Sequence, residues 1–291
     1  MKLVSVVVPN LHSPIIHQTI EALEKQTFKR DLYEVIVVGM DRFGLVHESD
    51  LVYLDPTEHP LNPAQARNRG VDRTSGEIIA FTDADCIPQP DWLQVIVNRF
   101  KDPQVSVVGG AVDIDSKNFW TLADNLSMFH EYMTLQPPGT RRLLASLNMA
   151  ISRQAFQSIQ GFDERYPLPA GEDSDLSIRL RKAGYTLFFE PMATVLHTPP
   201  RSRFRDLIHH SFNQGRFSPK VDPRYVGDEG LPVLLRTRWV LVLVTPFLAA
   251  GATGRIFSNL SIINQYWRSA PFIYLAKIAW CLGAANHPVW K

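Results

Sequence analysis

Cysteine is scarce in this chain. There are two in 291 residues, Cys86 and Cys281, far apart and in different regions. They make no zinc pattern and no disulfide framework, which fits a reducing compartment. Net charge is also small, +1 at pH 7, so there is no global basic signature for nucleic acid. The sequence has no Gly-x-x-x-x-Gly-Lys phosphate loop and no Gly-x-Gly-x-x-Gly fingerprint, and neither an ordinary P-loop nucleotidase nor a Rossmann dehydrogenase is indicated. A Gly-x-Ser-x-Gly elbow is missing as well. The apolar part of Met1-Lys2-Leu3-Val4 is too short for a signal peptide and runs straight into a strand-like segment. No internal repeat or low-complexity linker is visible.

Acid is absent from one whole region. From Leu231 to Lys291 there is no Asp or Glu, but there are six basic residues: Arg236, Arg238, Arg255, Arg268, Lys277 and Lys291. The first 230 residues carry 24 basic against 29 acidic side chains. An acidic body with a basic, apolar tail suits an anionic surface, and a membrane is the surface expected. The remaining composition, 45% hydrophobic and 20% charged, is that of a globular protein and excludes a mainly disordered chain.

Periodicity gives the class. Val4 to Val8 is nearly all β-branched and reads as a buried strand ended by Pro9-Asn10. Ile15 to Gln26 has helical spacing, Tyr33 to Val38 and Val52 to Leu54 read as strands, and Pro63 to Val71 reads as a helix with proline at its start. Ile78 to Thr82 is a fourth strand. This alternation predicts an α/β fold whose twisted, mostly parallel sheet is built by right-handed crossovers. Further on, the reading gives a helix over Pro90–Phe100 and a strand over Val105–Val112 loosened by Gly109-Gly110. A strand at Ala145–Ile151 and a helix over Asp173–Ala183 capped by Gly184 follow, then two late strands, Thr186–Phe189 and Ala193–Leu196. Phe204 to Gln214 is helical.

Four places carry chemistry. The strand Ile78–Thr82 ends abruptly in Asp83-Ala84-Asp85-Cys86, at the carboxyl end where open α/β sheets bind ligands. Two hard oxygen donors that close suit Mg²⁺ or Mn²⁺ carrying a phosphate-bearing substrate; the plain alternative is a solvated acidic turn. In Asn62-Pro63-Ala64-Gln65-Ala66-Arg67-Asn68-Arg69-Gly70, a helix start can offer backbone N–H groups and guanidinium forks to phosphate or ribose, or can simply face water. Gly171-Glu172-Asp173-Ser174-Asp175 opens a helix with three carboxylates. Acids offset a helix dipole there, and a carboxylate beside a metal–phosphate site can also act as a general base. His197, at the end of a late strand, is either a core histidine or a further metal ligand near the Asp pair.

Together these residues resemble glycosyltransferase family 2, with its GT-A fold. The match runs from about Val4 to Arg216. Val6-Val7-Val8-Pro9-Asn10 looks like the family's opening strand, and Asn62 to Gly70 like its nucleotide-side helix. Thr82-Asp83-Ala84-Asp85 looks like its Asp-x-Asp motif, Leu147-Asn148-Met149-Ala150 with Arg153 like its acceptor-side strand, and Glu172-Asp173-x-Asp175-Leu176 like its catalytic-base motif. The resemblance implies inverting transfer from a nucleotide-diphosphate sugar to a glycan or lipid-linked acceptor. Asp173 would be the base, with Glu172 orienting it or the acceptor. Metal would sit on Asp85, Asp83 and His197, and donor contacts would come from Pro9, Asp41, Arg67, Asn68, Asp83 and Asn148. One departure stands out: Gly39 occupies a place where the family commonly carries an acid, with Asp41 as a shifted substitute. Gln265-Tyr266-Trp267-Arg268-Ser269 lacks the last position of the processive motif, so single-sugar transfer is expected.

The expected organisation is a catalytic domain over residues 1–225 and an apolar, basic helical tail over 226–291. Trp239 to Gly254 is uncharged and apolar, as is Pro271 to Val289 apart from Lys277. Each is short for a bilayer span of about 20 residues. The tail therefore reads as short membrane helices, an amphipathic surface anchor or a soluble cap, with the cytoplasmic face of a membrane as the expected location. Two other functions fit the fold less well: a non-catalytic sugar-nucleotide or glycan-binding protein, suggested by Gly39, and a nucleotidyltransferase, which leaves the Asp173 motif unexplained.

Overall fold

The structure, a computed structural model, describes residues 2–114, 117–225, 232, 235 and 237–288. It has two compact units, Met1–Asp113 with Glu131–Pro199, and Ile114–His130 with Pro200–Lys291. Of the basic residues in the tail, Arg236 and Lys291 lie outside the described residues.

The first unit opens with β1 (Val4–Leu11), α1 (Ile16–Glu24), β2 (Tyr33–Met40), β3 (Val52–Pro56), α2 (Pro63–Asp72) and β4 (Ile78–Thr82). β1 pairs in parallel with β2 and β4, and β2 with β3. These strands are nearly continuous apolar runs, as strands covered on both faces must be. Pro9-Asn10 does not end β1. Its pairing with β4 stops at Val7, so the missing N–H of Pro9 breaks no ladder bond on that side.

The chain continues through β5 (Cys86–Pro88), α3 (Trp92–Arg99) and β6 (Val107–Ile114), then α4 (Phe119–Phe129), β7 (Gly139–Thr140), β8 (Asn148–Ser152), α5 (Arg153–Ser158), α6 (Glu172–Lys182) and β9 (Leu187–His197). The sheet order is β3-β2-β1-β4-β8-β6-β9-β5, with β7 beside β9. It is parallel through its first four strands, whereas β8 meets β4 and β6 antiparallel, and β5 and β7 meet β9 antiparallel. The helix between β6 and β8 belongs to the second unit, so the returning chain is not held to a parallel crossover.

Gly109-Gly110 does not loosen β6. A Cβ on Gly110 would lie 2.0 Å from the Ala193 carbonyl oxygen, so the strand needs that glycine in order to pack, while one on Gly109 would lie 2.4 Å from the end of the Leu144 side chain. β9 runs unbroken where two strands were expected, and β5, too short for a periodic signal, was not foreseen. The N-terminus of α2 is closed by a capping box of Asn62 with Gln65, and α6 ends in a Schellman motif at Gly184, whose φ is +89°. Phe81, Phe156 and Phe162 pack tilted or edge-to-face under this half of the sheet. Burying each contributes roughly 1.5–3 kcal/mol.

The second unit is helical: α4, α7 (Phe204–Arg216), α8 (Arg238–Phe257), α9 (Leu260–Tyr266) and α10 (Ala270–Ala284). α10 packs on α7, α8 and α4. Gly215 of α7 and Gly283 of α10 let the two backbones touch; a Cβ on either would come within 2.0 Å of the other helix's carbonyl. Asp124 of α4 is fully buried and accepts from Arg201 Nε and meets His210 Nδ1, each at 2.7 Å. Burial alone would raise its pKa, but His210 and Arg201 override that and hold it at about 2. Because α7 packs on α10 and α4, the units part at Pro199–Pro200, ahead of residue 225.

Candidate active site

The carboxyl ends of β1, β2 and β4 lie at one edge of the sheet. Strand register adds the rest: Asn148 of β8 stands opposite Thr82, and His197 of β9 stands opposite Cys86. The Asp83–Asp85 turn is pinned from two sides. Ser13 Oγ donates to the Ala84 carbonyl at 2.9 Å, and the Thr198 amide donates to the Asp85 carbonyl at 2.9 Å.

Asp85, Cys86 and His197 offer ligand atoms that all lie within 4.8 Å of one another. His197 Nε2 is 3.7 Å from Asp85 Oδ1, and the histidine is 3% exposed. A carboxylate and an imidazole form a donor set that fits a divalent ion such as Mn²⁺. Cys86 was not singled out by sequence reasoning. Burial, with Asp85 and Asp83 nearby, pushes its thiol well above the usual range. Asp83 stands apart, because its Oδ1 accepts from Arg67 Nη2 at 2.7 Å.

Arg67 is the hub. It is 2% exposed, its second terminal nitrogen donates to Glu172 Oε1 at 3.0 Å, and its guanidinium lies 5.4 Å from the Phe162 ring centroid. One buried cation thus joins a carboxylate at the end of β4 to one at the start of α6. Glu172 is 4% exposed, while Asp173 beside it is partly exposed and accepts from the Ser174 amide at 2.7 Å. Burial and the adjacent Asp173 push Glu172 up to about 7 against the pull of Arg67. Asp173 is also raised, by burial, against the pull of Arg67. The folded pair therefore keeps a proton that the unfolded chain has lost, and stability falls as pH rises from the ordinary 4.5 toward about 7.

Several expected donor contacts have other work here. Arg67 is buried between carboxylates and presents no free fork. Asn68 clamps the loop before α6: Nδ2 donates to the Phe162 carbonyl at 3.0 Å and to Glu164 at 2.9 Å, and Oδ1 accepts from the Phe162 amide at 2.9 Å. Asn148 is 1% exposed; it donates to Ala111 and Ala193 carbonyls and accepts from Trp92 Nε1, each at 2.8 Å, so its amide joins neighbouring strands. Arg69 forms a bidentate pair with Asp55 at 2.6 and 2.8 Å. Pro9 remains at the sheet edge, half-buried. Asp41 accepts from the Val46 amide through Oδ2 at 2.7 Å, and its Oδ1 is buried with no hydrogen-bond partner among the described residues.

Gly39 is explained by its backbone. Its φ is +131°, and a Cβ there would lie 2.0 Å from the Asn10 carbonyl oxygen. An acid cannot occupy this position as the chain now runs, and Asp41 is the nearest carboxylate along it. Gly39→Asp is expected to cost about 2 kcal/mol or more, read as a lowered urea midpoint. An unchanged midpoint would refute the steric account.

Comparison with known proteins settles the class. The family model described as glycosyl transferase family 2 matches residues 5–160. The chain belongs to that family. A second model, described as the N-terminal domain of galactosyltransferase, matches residues 127–202. This family 2 chain is 26% identical over 298 residues to glycosyltransferase AglE of Haloferax volcanii, covering 98% of this chain and 93% of that protein. It is 31% identical over 240 residues to the pre-mycofactocin glycosyltransferase of Mycobacterium tuberculosis, covering 80% of this chain but 50% of that protein. Among solved structures, the mannosyltransferase PcManGT from Pyrobaculum calidifontis, in complex with GDP-Man and Mn²⁺, superposes with a TM-score of 0.63 at 19% identity, over 99% of this chain and 87% of that one. The central sheet and its flanking helices form a GT-A fold, and the protein is a glycosyltransferase.

Proposed function

We propose that this glycosyltransferase moves one sugar from a nucleotide-diphosphate donor to a glycan or lipid-linked acceptor, with inversion, and that it uses a divalent cation. Asp85 and His197 would hold the cation, with Asp83 beside them, and an ion bound there would supply the positive charge that offsets the diphosphate leaving group. Asp173 takes the proton of the acceptor hydroxyl as that oxygen attacks the anomeric carbon from the face opposite the diphosphate. Glu172, locked by Arg67, orients Asp173. Asp41, with one carboxylate oxygen unspent at the end of β2, is the contact for the nucleoside, and Pro9 lines the same edge.

The observation that carries this reading is the Arg67 bridge. A single buried guanidinium spans Asp83, on the donor side, and Glu172, next to the base. A solvated acidic turn or a helix-capping acid has no need of that link. The Mn²⁺-bound state of the structural neighbour supports a divalent ion. The basic, apolar second unit supports an acceptor or location at a membrane. The binding-protein alternative rested on Gly39, whose backbone conformation now accounts for it.

Proton NMR of the sugar released or transferred in the first turnovers tests the stereochemistry. The expected product has the anomeric configuration opposite to the donor's. A product that retains the donor configuration would overturn the direct role of Asp173.

A further inference from the structure

α8 has two unlike faces. Leu241, Thr245, Ala249 and Ile256 are buried, and the helix packs on α10. The opposite face carries Trp239, Leu243 and Phe247 at i, i+4 and i+8, exposed by 73%, 77% and 78%. The other exposed positions between Trp239 and Gly254 are Val, Pro, Ala or Gly, and an exposed arginine closes each end, Arg238 and Arg255. α9 and the turn after it continue the pattern with Leu260, Ile263 and Trp267 at i, i+3 and i+7, exposed by 76%, 40% and 60%, followed by exposed Arg268. A soluble protein seldom leaves so continuous an apolar stripe in water.

The charge pattern says what covers it. No acid occurs from Leu231 to the last residue, while Arg238, Arg255 and Arg268 flank the apolar faces. Arg238 lies 5.4 Å from the Trp239 ring centroid and Arg268 5.5 Å from that of Trp267, pairs of amphipathic ring and cation suited to lipid headgroups.

The packing says how. With 20 residues α8 is about 30 Å long, enough to cross a bilayer. Crossing, however, would take α10 with it, or expose the seam between them. Lys277 of α10 donates to the Ser127 carbonyl of α4 at 2.7 Å, and α10 packs against α7, which carries Arg205, Asp206, His209 and His210. Those charges would enter hydrocarbon at high cost. Lying in the plane of the interface, α8 keeps α10 at its back and buries only its apolar stripe. We propose that α8 and α9 form an in-plane anchor that binds the surface of an anionic bilayer without crossing it. The inference rests on the second unit alone and is independent of the sugar chemistry.

Flotation of the full chain with vesicles tests it, using phosphatidylcholine alone or mixed with phosphatidylglycerol. The protein is expected to float with the anionic vesicles, and Arg238→Gln with Arg255→Gln to weaken that binding roughly thirtyfold. Leu243→Asp with Phe247→Asp is expected to weaken it about tenfold or more. Those two side chains are exposed, so circular dichroism should show an unchanged thermal midpoint. Depth is read from a fluorophore on Leu243→Cys, Ala250→Cys or Gly254→Cys, three positions on the exposed face; Cys86 and Cys281 are buried and do not compete for label. The outer two positions lie about 16 Å apart along the axis. An in-plane helix places all three at one shallow depth. A depth that changes steadily from 243 to 254 would mean a span and overturn the proposal. No binding to either vesicle would overturn it too, as would a dimer in light scattering that the Asp variant dissolves.

Discussion

Asp173→Asn is expected to lower transfer by about three orders of magnitude while leaving metal-dependent donor binding within about twofold of wild type. The amide keeps the size of the carboxylate and can still accept from the Ser174 amide, so the start of α6 should stay in place. Only the proposed proton acceptor is removed. The same pair predicts the pH response. A base must be ionised, and burial raises both carboxyls, so kcat/KM should climb with pH along a limb displaced above the ordinary carboxylate range, which belongs to the pair. Glu172→Gln removes the neighbouring charge and should move that limb to lower pH. Transfer retained in Asp173→Asn, or a limb unmoved by Glu172→Gln, would shift the base elsewhere.

Arg67→Met is expected to have the largest effect on stability, about 3–5 kcal/mol by urea unfolding. Methionine approximates the buried stem but leaves two carboxylates without a cation, one of them 4% exposed. At neutral pH Glu172 would take up a proton rather than stay charged, so the loss should shrink as pH falls. Donor affinity should fall as well, because Asp83 loses the partner that fixes it. Adding Asp83→Asn and Glu172→Gln to Arg67→Met removes the stranded charges and should restore part of the stability. A triple variant no more stable than Arg67→Met alone would show that the cost is packing rather than charge.

The parts of this protein that read easily from its sequence are local. The apolar run Ile78–Thr82 with its acidic end, the proline-started α2, the acid-rich start of α6 and the Gly184 cap each declare themselves within a dozen residues. What the sequence hid is long-range. Asn68 looks like a ligand contact until the loop 94 residues away folds onto it, and Asn148 until two other strands and Trp92 converge on its amide. Cys86 joins the Asp85–His197 cluster only through the antiparallel register that sets it opposite His197. Gly39 departs from the family pattern, and its reason is a carbonyl on another strand. Periodicity reports which face a residue takes, but not which distant atom will meet it there.

The central claim is that the Asp85–His197 cluster, tied through Asp83 and Arg67 to the Glu172–Asp173 pair, binds a nucleotide-sugar through a divalent ion. Calorimetric titration of the full chain with a panel of nucleotide-sugars, in Mn²⁺ or in chelator, tests it most directly. One donor should bind in Mn²⁺, lose about tenfold or more of its affinity in chelator, and show the same loss in Asp85→Ala with metal present. Binding of equal strength with and without the ion, in a protein shown to be folded, would contradict the account.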